Sequence, residues 1–250
     1  MKLLWLKITL VRDTTFGRGD GVAGLVDDEV QHDEYGLPYL SGKTLKGLLG
    51  AECAEILHAL KKIYKRKQRE EALEKWYHAA SFLFGNPGSD MTSSAMMVVG
   101  DARLPQDLCD RVAWQFQQYK EDDEPGRAML RQELLDSLTT LRRQTAMDAM
   151  TGAPQKETLR AMRVIRRDTI FESQLQFIET FDDSEDATLG LLAACVKSLR
   201  RAGTGRNRGR GRISLELFEK RPSESDATTG DLPQPITTAY FDKFVQEVSR

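Results

Sequence analysis

The sequence is poor in the residues that most often announce chemistry. Its 250 residues hold three cysteines (Cys53, Cys109, Cys195) and three histidines. The cysteines are odd in number, widely spaced and form no CxxC, which excludes a disulfide framework and a sequence-local zinc site. They predict buried thiols in a reducing, cytoplasmic setting. Long apolar runs are lacking too: "LGLLAACV" (189–196) falls far short of the roughly 20 residues that span a membrane. The opening "MKLLWLKITLVRD" is only superficially like a signal peptide. It has no small-residue cleavage site, and Lys7 and Thr9 break it in strand-like alternation. Net charge is nearly absent at −2, and aromatics make up 8%. A near-neutral chain can still bind nucleic acid through one basic surface, so distribution matters more than the sum. Here the charge is clustered: residues 61–69 carry six cations and no acid, whereas 121–124 read "EDDE".

What is present, 40% hydrophobic and 30% charged residues, suits a core under a very polar surface, in one large domain or two small ones. Leu4, Leu6, Ile8 and Leu10 alternate and predict a half-buried strand over 3–11. Residues 12–42, rich in Gly and Asp, predict a long ordered loop of the kind that often carries function. Helical periodicity follows at about 44–60 and 68–84, the latter stopped by Gly85 and Pro87. A short strand lies within 95–105. Further helices are expected at about 106–119 and 127–143, then a projecting loop at 144–158. Strands at about 161–165 and 170–180, a helix at 186–201 and a strand through "RISLELF" complete the pattern. Stripped of insertions the order is βαββαβ, an α+β, ferredoxin-like (RRM-type) core. The insertion spans about 61–143 and a thumb-like projection about 142–167, within one domain over 1–219. Residues 220–250 form a linker and a short amphipathic segment whose aromatic face invites a partner. Strand aromatics are few, which argues against base stacking on the sheet.

Four stretches offer chemistry. "RRAGTGRNRGRGR" (200–212) holds six arginines and four glycines. Gly203, Gly205, Gly209 and Gly211 permit positive φ and close backbone approach. Arg206, Arg208, Arg210 and Arg212, with Asn207 among them, present forks suited to phosphate oxygens. Six such contacts to a single strand would make log K fall with log[salt] at roughly −0.7 each, about −4 in all. The competing reading is an exposed Arg/Gly loop without a ligand. In "GLPYLSGKTLKG" (36–47) a turn delivers the chain to a helix whose first turns offer Ser41, Lys43, Thr44 and Lys46. A helix N-terminus attracts anions; ordinary capping with two solvated lysines is the alternative. "GLVDDEVQHDEYG" (24–36) collects Asp27, Asp28, Glu29, Asp33 and Glu34 around His32. Carboxylates beside phosphates can hold Mg²⁺ or another divalent cation, although solvated acidic loops are common. Finally, "RRQTAMDAMTGAPQKETLRAMRVIRR" (142–167) mixes seven cations with Met147, Met150 and Met162. A projecting loop of that kind could wedge between bases while gripping backbone, or its methionines could be core.

Together, five ordered segments resemble the RAMP superfamily, the RRM-fold subunits of CRISPR effector complexes, and most resemble the backbone subunits of type III complexes. The segments are the first strand with "DTTFGRGDG", then "VDDEVQHDEYGLPYLSGKTLKG", "LFGNPGS…VVGDARLP", "TAMDAMTGAPQKETL" and "AGTGRNRGRGRISL". The resemblance implies binding of CRISPR guide RNA, with the SGKTLKG helix and the glycine-rich loop on the guide backbone. It implies a thumb at "TAMDAMTG", including Met147, Met150 and Thr151, that inserts at a kinked base of the guide–target duplex. It further implies cleavage of target RNA by a loop aspartate with a divalent metal. Aligning "VDDEV" puts Asp27 there, with Asp28 one register away. Other effector-complex subunits and copies of the same chain are the implied partners. Some RAMP subunits cap the complex without cutting, which is the alternative. A second is a metal-independent nuclease of precursor RNA, for which His32 is the one histidine placed as acid or base.

Overall fold

The structure, a computed structural model, describes residues 2–22, 25–86, 94–120, 123–155, 158–181, 185–224 and 231–249. Pro87 of the helix stop, Glu121 and Asp122 of the acidic run, Lys156 of the basic projection and residues 225–230 of the linker lie outside them.

A four-stranded antiparallel sheet carries the fold. β1 (Lys2–Leu10) is central, flanked by β5 (Ile170–Phe177) and β6 (Ile213–Phe218), with β2 (Met97–Val99) on the far side of β5. The order β2-β5-β1-β6 is the ferredoxin-like arrangement expected for βαββαβ. Alternation sets the register. Leu4, Leu6, Ile8 and Leu10 of β1 face inward beside Phe171, Leu175 and Phe177 of β5, all fully buried. The opposite face mixes Lys7, Thr9, Glu172 and Gln174 with apolar Leu3, Val98 and Trp5; Trp5 pairs with Phe218 and lies beneath the Arg221 guanidinium at 4.2 Å. The chain itself thus covers the aromatics on which a base could stack.

Helices close the inner face. α1 (Gly42–Arg66) is capped by Ser41 and runs past the expected stop through "KKIYKR", because these residues continue good helix formers and Tyr64 is buried. A 3-10 turn (Glu70–Leu73) leads into α2 (Glu74–Phe84), which ends at Gly85 with φ 77°. α5 (Glu185–Ser198) is buried on all sides over 187–196, which explains its apolar run. α6 (Thr237–Ser249) lies across it: Phe244 meets Trp76 edge-on at 5.0 Å, and Thr237 Oγ1 accepts from the Leu217 amide. The aromatic face of the tail therefore packs on its own chain. Between β2 and β5 lie α3 (Gln106–Gln117), α4 (Glu124–Leu138) and a hairpin of β3 (Thr139–Gln144) and β4 (Arg160–Ile165).

Two elements differ from expectation. The helix expected to 143 stops at Leu138, where Thr139 and Thr140 bring β-branched stiffness. Thr139 Oγ1 donates back to the Leu135 carbonyl, and β3 pairs onward with β4. The second strand of the sheet is the three-residue β2, inside the span read as helical insertion. "RAMRVI" belongs instead to the projecting hairpin.

Candidate nucleic-acid interface

The glycine-rich stretch is an ordered loop stitched to the start of the long 12–42 segment. Thr204 donates its amide to Thr15, Ala202 to Gly211 and Gly211 to Asp13. All four predicted glycines adopt positive φ, from 68° at Gly211 to 84° at Gly203. At Gly203 a Cβ would come within 2.4 Å of the Thr15 carbonyl, so conformation and space both demand glycine. Between Gly205 and Gly209 the chain makes a single 3-10 turn, Arg206–Arg208. Arg206, Asn207, Arg208 and Arg212 are exposed. Among the described residues none of Arg206, Arg208, Arg210 and Arg212 has an acidic partner within ion-pair distance. Three guanidiniums without an acidic partner on one hydrogen-bonded loop are of the kind that suits anions. Arg210 is half-buried and leans on the Met162 sulfur of β4.

The N-terminus of α1 adjoins this loop. Thr44 and Leu48 line a cleft of about 230 Å³ with Phe16, Gly17, Gln31, Gly203, Thr204 and Arg206. Ser41 Oγ takes the Thr44 amide at 3.4 Å and bonds its hydroxyl at 2.8 Å. The Gly42 amide is given to Asp101, and a Cβ at Gly42 would reach 2.1 Å from the Val99 carbonyl, so the helix start is pressed onto β2. Lys43 and Thr44 are exposed. Lys46 turns the other way: its ammonium donates to the Met97 carbonyl at 2.7 Å, and burial pushes its pKa down. The sequence alone shows neither this nor the role of Asp101.

The acidic loop resolves into separate duties. Glu29 is 2% exposed and pairs with Arg163, 3% exposed, at 2.9 Å; Asp136 and Thr139 Oγ1 complete the guanidinium's partners. Arg163, counted among the basic flanks of the projection, is thus internal. Asp33 accepts the amides of Tyr35 and Leu37 and faces Arg103. His32 has Nδ1 3.0 Å from the Asp33 carbonyl and does not line the cleft. Asp27 and Asp28 remain. Both are strapped along β4, near the end that leads into the hairpin tip. The Asp27 and Ala161 backbones bond at 2.8 Å, the Ala161 amide donates to Asp27 Oδ2 at 2.7 Å, and Asp28 bridges Met162. Asp27 is exposed with its other oxygen uncommitted, and the Asp28 carboxylate has no hydrogen-bond or ion-pair partner among the described residues.

Those residues include no group of three or more His, Cys, Asp or Glu that could hold a metal. Mg²⁺ needs only one or two carboxylates when water and substrate phosphate supply the rest. Asp27 and Asp28 therefore fit a cation only together with bound phosphate.

The hairpin projects an ordered tip. Asp148 accepts the amides of Met150 and Thr151 and the Thr151 hydroxyl, and Met147 bridges Pro154. Hydrogen bonds from the Thr151 amide and hydroxyl hold the Asp148 carboxyl below its ordinary pKa. Met150 is 94% exposed and Met147 57%, whereas Met162 is buried. The methionines thus divide between tip and core.

The comparisons with known proteins agree with this architecture. A family model described as the RAMP superfamily matches residues 7–214. No curated protein matches. Among solved structures, a chain of the type III-B Cmr-beta complex bound to cognate target RNA, seen by cryo-EM, superposes with a TM-score of 0.57 at 13% identity, covering 87% of this chain and 97% of that one. A chain of the apo type III-B Cmr-beta structure gives 0.53 at 15% identity, covering 86% and 97%. At these identities the likeness is one of fold. Among the described residues no helix is long and apolar enough to cross a membrane.

Proposed function

The chain belongs to the RAMP superfamily, and from that premise we propose that it is a guide-RNA-binding subunit of a type III CRISPR effector complex that also cleaves target RNA. The observation that carries the reading is the convergence of unpaired Arg206 with Thr44 at the α1 N-terminus on one cleft. Backbone amides, a helix start and guanidiniums together suit phosphate rather than bases. The bare Met147 and Met150 at the hairpin tip suit a wedge between bases. Guide RNA, target RNA, other subunits and further copies of the chain are the partners this assigns.

Asp27, beside Ala161 of β4, is the residue assigned to cleavage, with Asp28 beside it in sequence. A divalent cation bound there with RNA would polarise the scissile phosphate; the chain's own part is to hold carboxylate oxygen at a fixed place below the wedge. The test is target cleavage by the assembled complex carrying Asp27→Ala or Asp28→Ala, in Mg²⁺ and in EDTA. Loss of cleavage with guide binding retained is expected for Asp27→Ala. Unchanged cleavage in both variants removes the catalytic assignment. One observation favours the non-cutting alternative: the Ala161 amide gives Asp27 a structural job of its own. In that case Asp27→Ala loosens the hairpin and leaves EDTA without effect.

A further inference from the structure

The two edges of the four-stranded sheet are finished differently. At β2, Lys46 donates to the Met97 carbonyl and the start of α1 lies against Val99. At β6 the edge is closed only at its ends. The Val11 amide donates to the Arg212 carbonyl, so alternation gives β1 the backbone of residues 212, 214, 216 and 218 and turns that of 213, 215 and 217 outward. There the Ile213 amide donates to the Arg200 carbonyl and the Leu217 amide to Thr237 Oγ1, while the Leu217 carbonyl accepts from the Ile236 amide. Between these closures the Leu215 amide and carbonyl have no partner among the described residues. Leu215 is only 7% exposed, and unpaired backbone at such depth costs free energy unless something enters to pair it. The way in is a cleft of about 590 Å³ between β6, the end of α5 and the start of α6.

The cleft has a chemical character of its own. Val196, Ile213 and Phe241 make it partly apolar, and Lys197, Arg200 and Arg212 bring three positive charges. None of the three has an acidic partner among the described residues; the Lys197 ammonium lies 4.8 Å over the Phe241 ring. Glu216, the one acid that lines the cleft, is paired across the strands with Lys7. The N-terminus of α6, with no acid in its first turn, adds partial positive charge. We propose that the open edge of β6 receives an extended, carboxylate-bearing segment of another protein as an added strand, its backbone paired to Leu215 and its acidic side chains facing Lys197 and Arg200. Main-chain pairing supplies affinity and the cations select the sequence. RNA fits the edge less well, because a phosphodiester backbone has no amide to give the Leu215 carbonyl. A second copy of the chain, meeting this edge about a two-fold axis, would bring two sets of the same cations together. The proposal stands independently of the RNA-binding reading.

The experiment titrates the full chain into an end-blocked, fluorescent Glu-Val-Glu-Val-Glu peptide and follows anisotropy. Its companions are Lys-Val-Lys-Val-Lys and two forms of the acidic peptide, one N-methylated at the glutamates and one at the valines. The acidic peptide should bind roughly tenfold more tightly than the lysine peptide. One methylated form should lose binding and the other keep it, because alternate amides of an added strand face the edge. Hydrogen exchange at the Leu215 amide should slow when the peptide is bound. Lys197→Glu with Arg200→Glu should weaken the acidic peptide about tenfold, through the loss of two exposed ion pairs. Lys61→Glu with Lys62→Glu, exposed on α1, should change nothing. The methylated peptides need no variant, so they decide the matter even if the double variant fails to fold. No binding of the acidic peptide, or equal binding of the two methylated forms, would overturn the added strand. Displacement of the peptide by single-stranded RNA, with both methylated forms still binding, would assign the cleft to RNA instead. A chain that sediments as a dimer, and is split by the acidic peptide, would assign the edge to a second copy and overturn the proposal likewise.

Discussion

Arg163 and Asp13 show how differently two charged residues near the same hairpin behave. Arg163 is sealed in with Glu29, so removing it alone strands a buried carboxylate. Arg163→Met should cost about 3–5 kcal/mol of stability, and Arg163→Met with Glu29→Met should recover much of that, since no charge is then left unpaired. Urea unfolding of the two variants checks this. Asp13 is half-exposed. Burial alone would raise its pKa, but the hydrogen bond and charge of Arg142, with the Arg167 amide, hold it below the ordinary 3.8. A depressed carboxyl adds stability above its unfolded pKa and loses it as the pH falls through the folded one. The wild-type chain should therefore lose more stability than Asp13→Asn on acidification below about pH 4, a gap that shrinks at high salt. Neither role is legible in the sequence. Glu29 and Asp28 are neighbours of the same chemical type, and only a partner 134 positions away separates the structural acid from the free one.

Elements were legible where their pattern was long. The alternation of β1, the stripe of α1 and the apolar run of α5 each carry enough residues for their period to show. β2 is legible as a short strand within 95–105, but its three residues carry no sign that they join the core sheet, so "RAMRVI" takes that place in a reading by pattern. The tail is the converse case: its amphipathic face is plain in sequence, but what it meets is not. In the structure Phe244 lies against Trp76 and over Gly190, where a Cβ would stand 3.3 Å from the Phe244 Cβ. Phe244→Ala should cost about 2 kcal/mol, roughly half the value of a fully buried phenylalanine. Gly190→Leu should dislodge α6 from α5, read as increased protease cutting after residue 231. The glycine-rich loop makes the opposite prediction. Gly203→Ala meets the Thr15 carbonyl in a disfavoured conformation, so it should lower both RNA affinity and melting temperature, whereas Arg206→Ala should lower affinity alone.

At the scale of the molecule, the net charge of −2 says little about function because the charges are clustered, some in an internal pair and others unpaired at the surface. The Arg163–Glu29 pair of the hairpin is internal, and Arg206, Arg208 and Arg212, exposed and without an acidic partner among the described residues, sit on the glycine-rich loop. Salt should separate these roles. At 1 M the Debye length is about 3 Å, which screens exposed guanidiniums and reaches a buried pair far less. If Arg206, Arg208 and Arg212 each meet a phosphate, log K should fall by about 2 between 0.1 and 1 M salt, at roughly 0.7 per contact. The unfolding midpoint should move by only a few degrees over the same range. Fluorescence anisotropy and thermal unfolding on one preparation measure both. A binding slope below about 1 would mean that the basic loops are solvated surface rather than an RNA track. A midpoint that collapses in parallel with affinity would mean that the surface arginines hold the fold, and the division of labour drawn between Arg163 and its exposed neighbours would then be wrong.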